Sequence, residues 1–546
     1  MSASASVPAF EDRALAQLFP TVSEVPESAR VARGEHPATI LIDGRVRTVE
    51  STDQHVPVYS RVAMREGNEL APVLLGFEAK VGPAEALEAV ESAERALAGG
   101  SGRWPSATEA MRIAAVERFA SFVAADAEAI AKLLMWEIGK PIAAARSEVS
   151  RSLDYIKDTI AEVRRIAEVS PMYSGQAGKT THHAKDVLRP LGTVLCVAPF
   201  NYPVNEFLTT IIPALLMGNV VIAKTPRFGM LANQLLMKAF AEAFPPGVVS
   251  LLPGDGRAVL PAVIGAKRND VFGNPKGIVD VLAFIGSEAA ANAILSRHPT
   301  PSFVHKILGL GAKNAAVVLP GADVDATATK LVKGALGFNG QRCTAEKIVF
   351  VPSSADGDAL VRAIADRVAK LPLGMPWDPN AAITPLPEAQ KLPAMWSLLD
   401  DAVGRGATIV NDAGGNGYYS IMRPAVVDRV VQGMRLYDEE QFGPIVPIVR
   451  YGGIQEVIGW HLRSPYGQQA GVFGPDTQDR RELVRTLASF VARVNIDDVC
   501  QRGPDTFGFT AADKSGFGTL SIRNALLSFS RSVIIQSPDQ AAVASC

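Results

Sequence analysis

The sequence predicts an α/β chain made of two doubly wound units, and three observations carry that prediction. First, apolar runs of strand length recur at 193-TVLCVAP-199, 219-NVVIAK-224, 248-VVSLLPG-254 and 281-VLAFIG-286, each separated by helix-like sequence. Strands that are apolar on both faces and alternate with helices make a parallel sheet covered on both sides. Second, a similar series starts near 315, with strands at 315-AAVVL-319, 347-KIVFV-351, 406-GATIV-410, 445-IVPIVRY-451, 470-AGVFG-474 and 490-FVARVNI-496 and helices over 325–338 and 357–371. Third, 546 residues exceed what one hydrophobic core organises.

The remaining elements follow in chain order. Residues 1–37 are helix-prone and carry no motif. The stretch 39-TILIDGRVRTVE-50 reads as a strand pair turning at Asp43-Gly44. From 84 to 168 the chain is rich in Ala, Glu and Arg at helical spacing, which predicts at least three helices, one of them over 107–139. The Pro- and Gly-rich piece 373–388 reads as a loop. The tail 532-SVIIQ-536 reads as a strand suited to pairing with another subunit.

Composition excludes several function classes. Apolar residues make up 48% and charged residues 20%, an ordinary globular balance. Fifty-four Lys and Arg face 56 Asp and Glu, for a formal net charge of -2, which argues against nucleic acid as the main partner. The four cysteines, Cys196, Cys343, Cys500 and Cys546, show no paired spacing. They read as reduced thiols of a cytoplasmic-type compartment, with no metal site. The N-terminus has no basic start leading into an apolar core, so no targeting peptide is expected. The longest apolar run, 207–223, is broken by Pro213, Gly218 and Asn219 and reads as buried, not membrane-spanning.

One thiol stands out. Cys343 follows an Asn339-Gly340 turn after a helix-like segment, precedes a strand, and has Arg342 beside it. A neighbouring guanidinium favours the thiolate, which is the reactive form. Around it, five blocks occur in order: 135-MWEIGK-140, 199-PFNYPVN-205, 339-NGQRCTA-345, 439-EEQFGPIVP-447 and 501-QRGPD-505. Together they resemble the aldehyde dehydrogenase superfamily, and within it the non-phosphorylating glyceraldehyde-3-phosphate dehydrogenase branch, over roughly residues 38–535.

The resemblance implies a fold and a chemistry. The fold is a Rossmann-like cofactor domain (38–169 and 189–308), an α/β catalytic domain (309–500) and a small β oligomerisation element (170–188 and 501–546), after an N-terminal extension (1–37). Members of this family assemble as homodimers or homotetramers. Cys343 is implied as the nucleophile, adding to an aldehyde and passing through a thioester. Asn201 is implied as the amide that holds the oxyanion, with the Cys343 N–H. Lys224, Gly286, Ser287 and Glu440 match cofactor-binding positions. Arg227 stands where members that prefer NAD carry a glutamate, and a guanidinium can pair with a 2′-phosphate, so NADP is expected over NAD. Arg342, Arg502, Arg151 and Tyr202 are candidates for gripping a phosphate, which points to a small anionic aldehyde such as glyceraldehyde 3-phosphate.

One departure bears on the chemistry. Where hydrolytic members carry a glutamate as general base, this chain has Gly309, and two residues on it has Gly311. Three outcomes remain open on the sequence: another group replaces the base, the acyl acceptor is a non-water nucleophile such as coenzyme A, or the protein binds NADP without efficient turnover.

Overall fold

The computed structural model describes residues 10–168 and 172–545. Five parallel strands form the heart of the first unit, in the spatial order Val249–Leu252, Val220–Lys224, Thr193–Val197, Val279–Ile285, His305–Gly309. In chain order that is 3-2-1-4-5, a doubly wound sheet whose winding reverses between Thr193–Val197 and Val279–Ile285. Ligands bind such sheets at the carboxyl ends of the strands beside that reversal. The hairpin Thr39–Ile42/Arg45–Thr48 extends one edge antiparallel, and its turn residues Asp43 and Gly44 both have positive φ, as expected.

The second unit is a seven-stranded sheet. Its parallel core runs Ala425–Asp428, Ile445–Tyr451, Ile348–Pro352, Ala315–Val318, Gln469–Phe473, Arg493–Ile496, with the short strand Thr408–Ile409 antiparallel at one edge. Both sheets are nearly all apolar because helices cover both faces.

Several expectations need correction. Residues 10–37, read as helix-prone, form three short 3-10 helices, Arg13–Leu18, Val22–Glu24 and Glu27–Ala29. Pro20 and Pro26 break any longer helix there, and Leu15, Phe19, Val25 and Ala29 are buried as separate anchors. The segment also touches the second unit: Asp12 N donates to Gly417 O at 3.0 Å, and Gly417 N donates to Phe10 O at 2.8 Å. The helix expected over 107–139 is two helices, Glu109–Ala125 and Ala127–Ile138, which meet at Asp126. The twisted hairpin His55–Glu66/Glu69–Ala79 had no sequence reading. Its prolines, Pro57 and Pro72, mask the strand signal.

At the far end, Ser530–Ser537 pairs with Thr180–Pro190, which pairs with Tyr173–Ala177. The helix Gln540–Ala544 packs on the same sheet, whereas Gly516–Phe517 pairs with Leu308–Gly309 at the edge of the first unit's sheet. Among the described residues, no helix is long and apolar enough to cross a membrane, and no cluster of His, Cys, Asp and Glu is fit to hold a metal ion.

Candidate active site

Cys343 is presented by an unusual piece of backbone. Phe338, Asn339 and Gly340 have φ of 50°, 56° and 72° in succession. A Cβ on Gly340 would lie 2.5 Å from Gly443 O, so only glycine fits there. Asn339 tolerates the left-handed region and is locked in it, its Nδ2 donating to Thr384 O and its Oδ1 accepting from Thr384 N, both at 3.0 Å. The Cys343 carbonyl is then pinned by Asn314 Nδ2 at 2.7 Å and Lys347 Nζ at 2.8 Å.

The thiol lines a cavity of about 320 Å³ between the two sheets, where it meets Phe200, Asn201, Glu206, Gly309 and Glu440. Gly286 and Ser287 line the same cavity from the carboxyl end of Val279–Ile285. The site therefore sits where the winding of the first sheet reverses.

Asn201 is held on a clamped loop. Its Nδ2 donates to Gln341 O at 2.8 Å, which leaves the second amide hydrogen for the cavity. Its own carbonyl accepts from Lys140 Nζ at 2.8 Å. Lys140 is also bonded to Glu148, and the other oxygen of Glu148 accepts from Val204 N and Asn205 N at the start of the helix Asn205–Leu216. A buried carboxylate thus caps a helix and steers the loop before it.

Burial pushes the Cys343 thiol above its ordinary value. Glu206 pushes it further, Lys347 pulls it down, Glu440 raises it and Arg502 lowers it, in that order of weight. Arg342 is not among the strongest influences on it. Its Nη2 donates to Gly334 O, and its guanidinium bears instead on the buried pair Glu346 and Cys500. Arg342 was expected to support the thiolate and grip substrate; in the structure its side chain turns to Gly334 O and does not line the cavity.

The other expected arginines are already paired. Arg502 donates from Nη1 to Glu206, and its Nε lies 3.4 Å from Asp505. Arg151 holds Asp505 with two hydrogen bonds, of 2.9 and 2.8 Å. Tyr202 does not line the cavity; its ring lies under Lys140 Nζ at 3.7 Å and packs edge-on against Phe338. Lys224 lies outside the cavity, at the end of its strand, with burial pulling its ammonium down to about 8 against the opposing charges of Glu78 and Asp255. Arg227 is exposed, 5.3 Å from the Phe228 ring. Glu440 lines the cavity and pairs with Lys347 at 3.0 Å. His298 is a satisfied core residue, bonded to Val279 O at 2.9 Å.

Sequence reasoning missed Glu206, Lys347 and the Lys140–Glu148 clamp. A signal existed for Glu206: it is the one acid in the apolar helix Asn205–Leu216, and a carboxylate in such a run needs a buried partner.

Gly309 lines the cavity as expected, and no carboxylate stands in its place. A Cβ added there would meet Ile285 at 3.4 Å, an ordinary contact, so the site has room for a side chain. Glu346 does not substitute for it. It is 1% exposed, and its Oε1 accepts from Cys500 N beneath the loop.

Comparison with known proteins places the chain in a family. The chain is 33% identical over 447 residues to an NADP-dependent glyceraldehyde-3-phosphate dehydrogenase of Streptococcus equinus, covering 81% of this chain and 90% of that one. The Pisum sativum protein of the same name is 33% identical over 404 residues, 73% of this chain and 77% of its own. The crystal structure of the Bacillus halodurans C-125 protein of that name, complexed with NADP, superposes with a TM-score of 0.80 at 31% identity, over 92% of this chain and 99% of that one. Residues 74–535 match the model of the aldehyde dehydrogenase family, and the chain belongs to that family.

Proposed function

We propose that this protein oxidises a small aldehyde with NADP, through a thioester on Cys343, and releases the carboxylate. One observation carries the proposal: Cys343 and Asn201 share a cavity at the reversal point of a doubly wound sheet. The Streptococcus equinus and Pisum sativum relatives are named for NADP, and the Bacillus halodurans protein was solved with it.

The residues present fit that cofactor. Gly286 and Ser287 stand at a strand end in the cavity, and Ser287 caps the helix Glu288–Leu295. Thr225 Oγ1, next to Lys224, is buried with no partner. Lys224 and Thr225 would hold the adenosine side, Arg227 would meet the 2′-phosphate, and Glu440 would hold the nicotinamide ribose. When bound, the nicotinamide accepts the hydride.

The chain's own groups do the rest. The Cys343 thiol gives its proton to solvent, and the thiolate adds to the aldehyde carbon as the carbonyl π pair moves onto oxygen. Asn201 Nδ2 and the Cys343 N–H, which bonds nothing else among the described residues, receive the oxyanion. Loss of hydride leaves the thioester, and an acceptor then releases the acid.

Glyceraldehyde 3-phosphate is the reference aldehyde, because the relatives are named for it. Arg502 and Arg151, the arginines expected to hold its phosphate, already carry Glu206 and Asp505.

A second reading rests on Gly309: with no carboxylate at that position to activate water, the acyl group passes to another nucleophile such as coenzyme A. Pre-steady-state NADPH formation, with a mass measurement on Cys343, tests both. A burst with steady turnover supports hydrolysis. A burst that stalls until coenzyme A is added supports transfer. With neither burst nor adduct across a panel of aldehydes, the oxidation proposal falls.

A further inference from the structure

The wall of the cavity beyond Cys343 is set by Glu206. It comes from the first turn of Asn205–Leu216 and lines the cavity, while Arg502 stands behind it. The pair is deep: the two side chains are 5% and 10% exposed, and the Phe509 ring lies 4.9 Å from the guanidinium. Asp505 lies 3.4 Å from Arg502 Nε, both Asp505 oxygens are occupied by Arg151, and Arg502 Nε and Nη2 stay buried without a hydrogen-bond partner among the described residues. The one cationic side chain in the lining, Lys391, pairs with Glu388 at 2.6 Å. No described cation of the lining is left unpaired.

A phosphate entering here meets a carboxylate first. To reach Arg502 it must displace Glu206 from a desolvated pair, and removing one partner of such a pair leaves the other as a buried uncompensated charge. Glu206 Oε1, by contrast, accepts no hydrogen bond among the described residues, although Oε2 is taken by Arg502. An aldehyde ending in a hydroxyl can donate to that oxygen without disturbing the pair.

Resting on the oxidation reading above, we infer that Glu206 is the specificity-determining residue of this site, masking Arg502 and selecting short hydroxylated aldehydes without phosphate. The chain keeps the arginine but covers it with an acid, so the arginine stiffens the pocket wall and does not bind anions.

The test compares kcat/KM for D-glyceraldehyde and D-glyceraldehyde 3-phosphate with NADP. The wild-type enzyme should favour the unphosphorylated aldehyde by at least about tenfold, and E206Q should move the ratio of the two toward the phosphate by about tenfold or more. A wild-type preference for the phosphorylated aldehyde, or a ratio that E206Q leaves unmoved, overturns the inference while NADPH formation leaves the oxidation reading standing. If E206Q does not fold, inhibition of the wild-type enzyme decides. Glycerol 3-phosphate competing no better than glycerol supports the masking, and glycerol 3-phosphate competing at least about tenfold better overturns it. No NADPH and no Cys343 adduct with either aldehyde removes the oxidation reading, and the inference with it.

Discussion

The two flanks of Cys343 each carry an ion pair, and the pairs act on the thiol with opposite net sign. On the cofactor flank, Lys347 bonds the carbonyl of Cys343 itself, while its partner Glu440 stands farther out, 19% exposed in its side chain. There the cation outweighs the acid at the thiol. On the acyl flank, Glu206 lines the cavity and Arg502 lies behind it, so the acid outweighs the cation. An ion pair is therefore not neutral to a neighbour: the nearer member sets the sign. Burial, the largest influence, and the acyl flank hold the proton on; the cofactor flank loosens it.

Changes of graded size sharpen that comparison. Cys343→Ala should remove the nucleophile between the flanks and lower NADPH formation by at least about 10⁴-fold in a steady-state assay. Asn201→Ala removes an oxyanion donor and should lower kcat by about 10²–10³-fold with the fold intact by circular dichroism. Gly309→Glu places a carboxylate at a position in the cavity lining where a Cβ makes only ordinary contact. If water is the acceptor and its activation is slow, the decay of the acyl-Cys343 species should accelerate by about 10²-fold in a single-turnover experiment.

Smaller changes test the signs directly. Alkylation of Cys343 by iodoacetamide reports the thiolate. Because the thiol is lifted above its ordinary value, the rate should keep rising about tenfold per pH unit between pH 6 and 8. At a fixed pH, Lys347→Met should slow alkylation and Glu440→Gln should speed it, each by about three- to tenfold, with Lys347→Arg close to wild type. Glu206→Gln should speed it more than Glu440→Gln does. Equal responses from the two acids would break the comparison.

Much of the fold was legible because it rests on periodicity. Strands such as Ile445–Tyr451 and Thr193–Val197 are buried on both faces and announce themselves as apolar runs. The His55–Ala79 hairpin was not legible, since its faces are only partly buried and prolines interrupt it. At the site, Cys343 and Asn201 were named through the resemblance of their motifs, and both line the cavity. What failed was direction. Arg342 is adjacent to Cys343 in sequence, yet its side chain points to Gly334. The pairing of Arg502 with Glu206 joins residues 296 apart, and no local pattern encodes it.

The N-terminal turns have a mechanical consequence. Leu15 and Phe19 are buried in the core around the first sheet, Phe10 packs on the core of the second, and the backbone between them is bonded to Gly417. A strand of chain anchored in both cores transmits the melting of either one to the other. The molecule should then show a single calorimetric transition on heating, and removal of residues 1–37 should split it in two. A segment with no part in the chemistry is thus one of the tethers between the two cores.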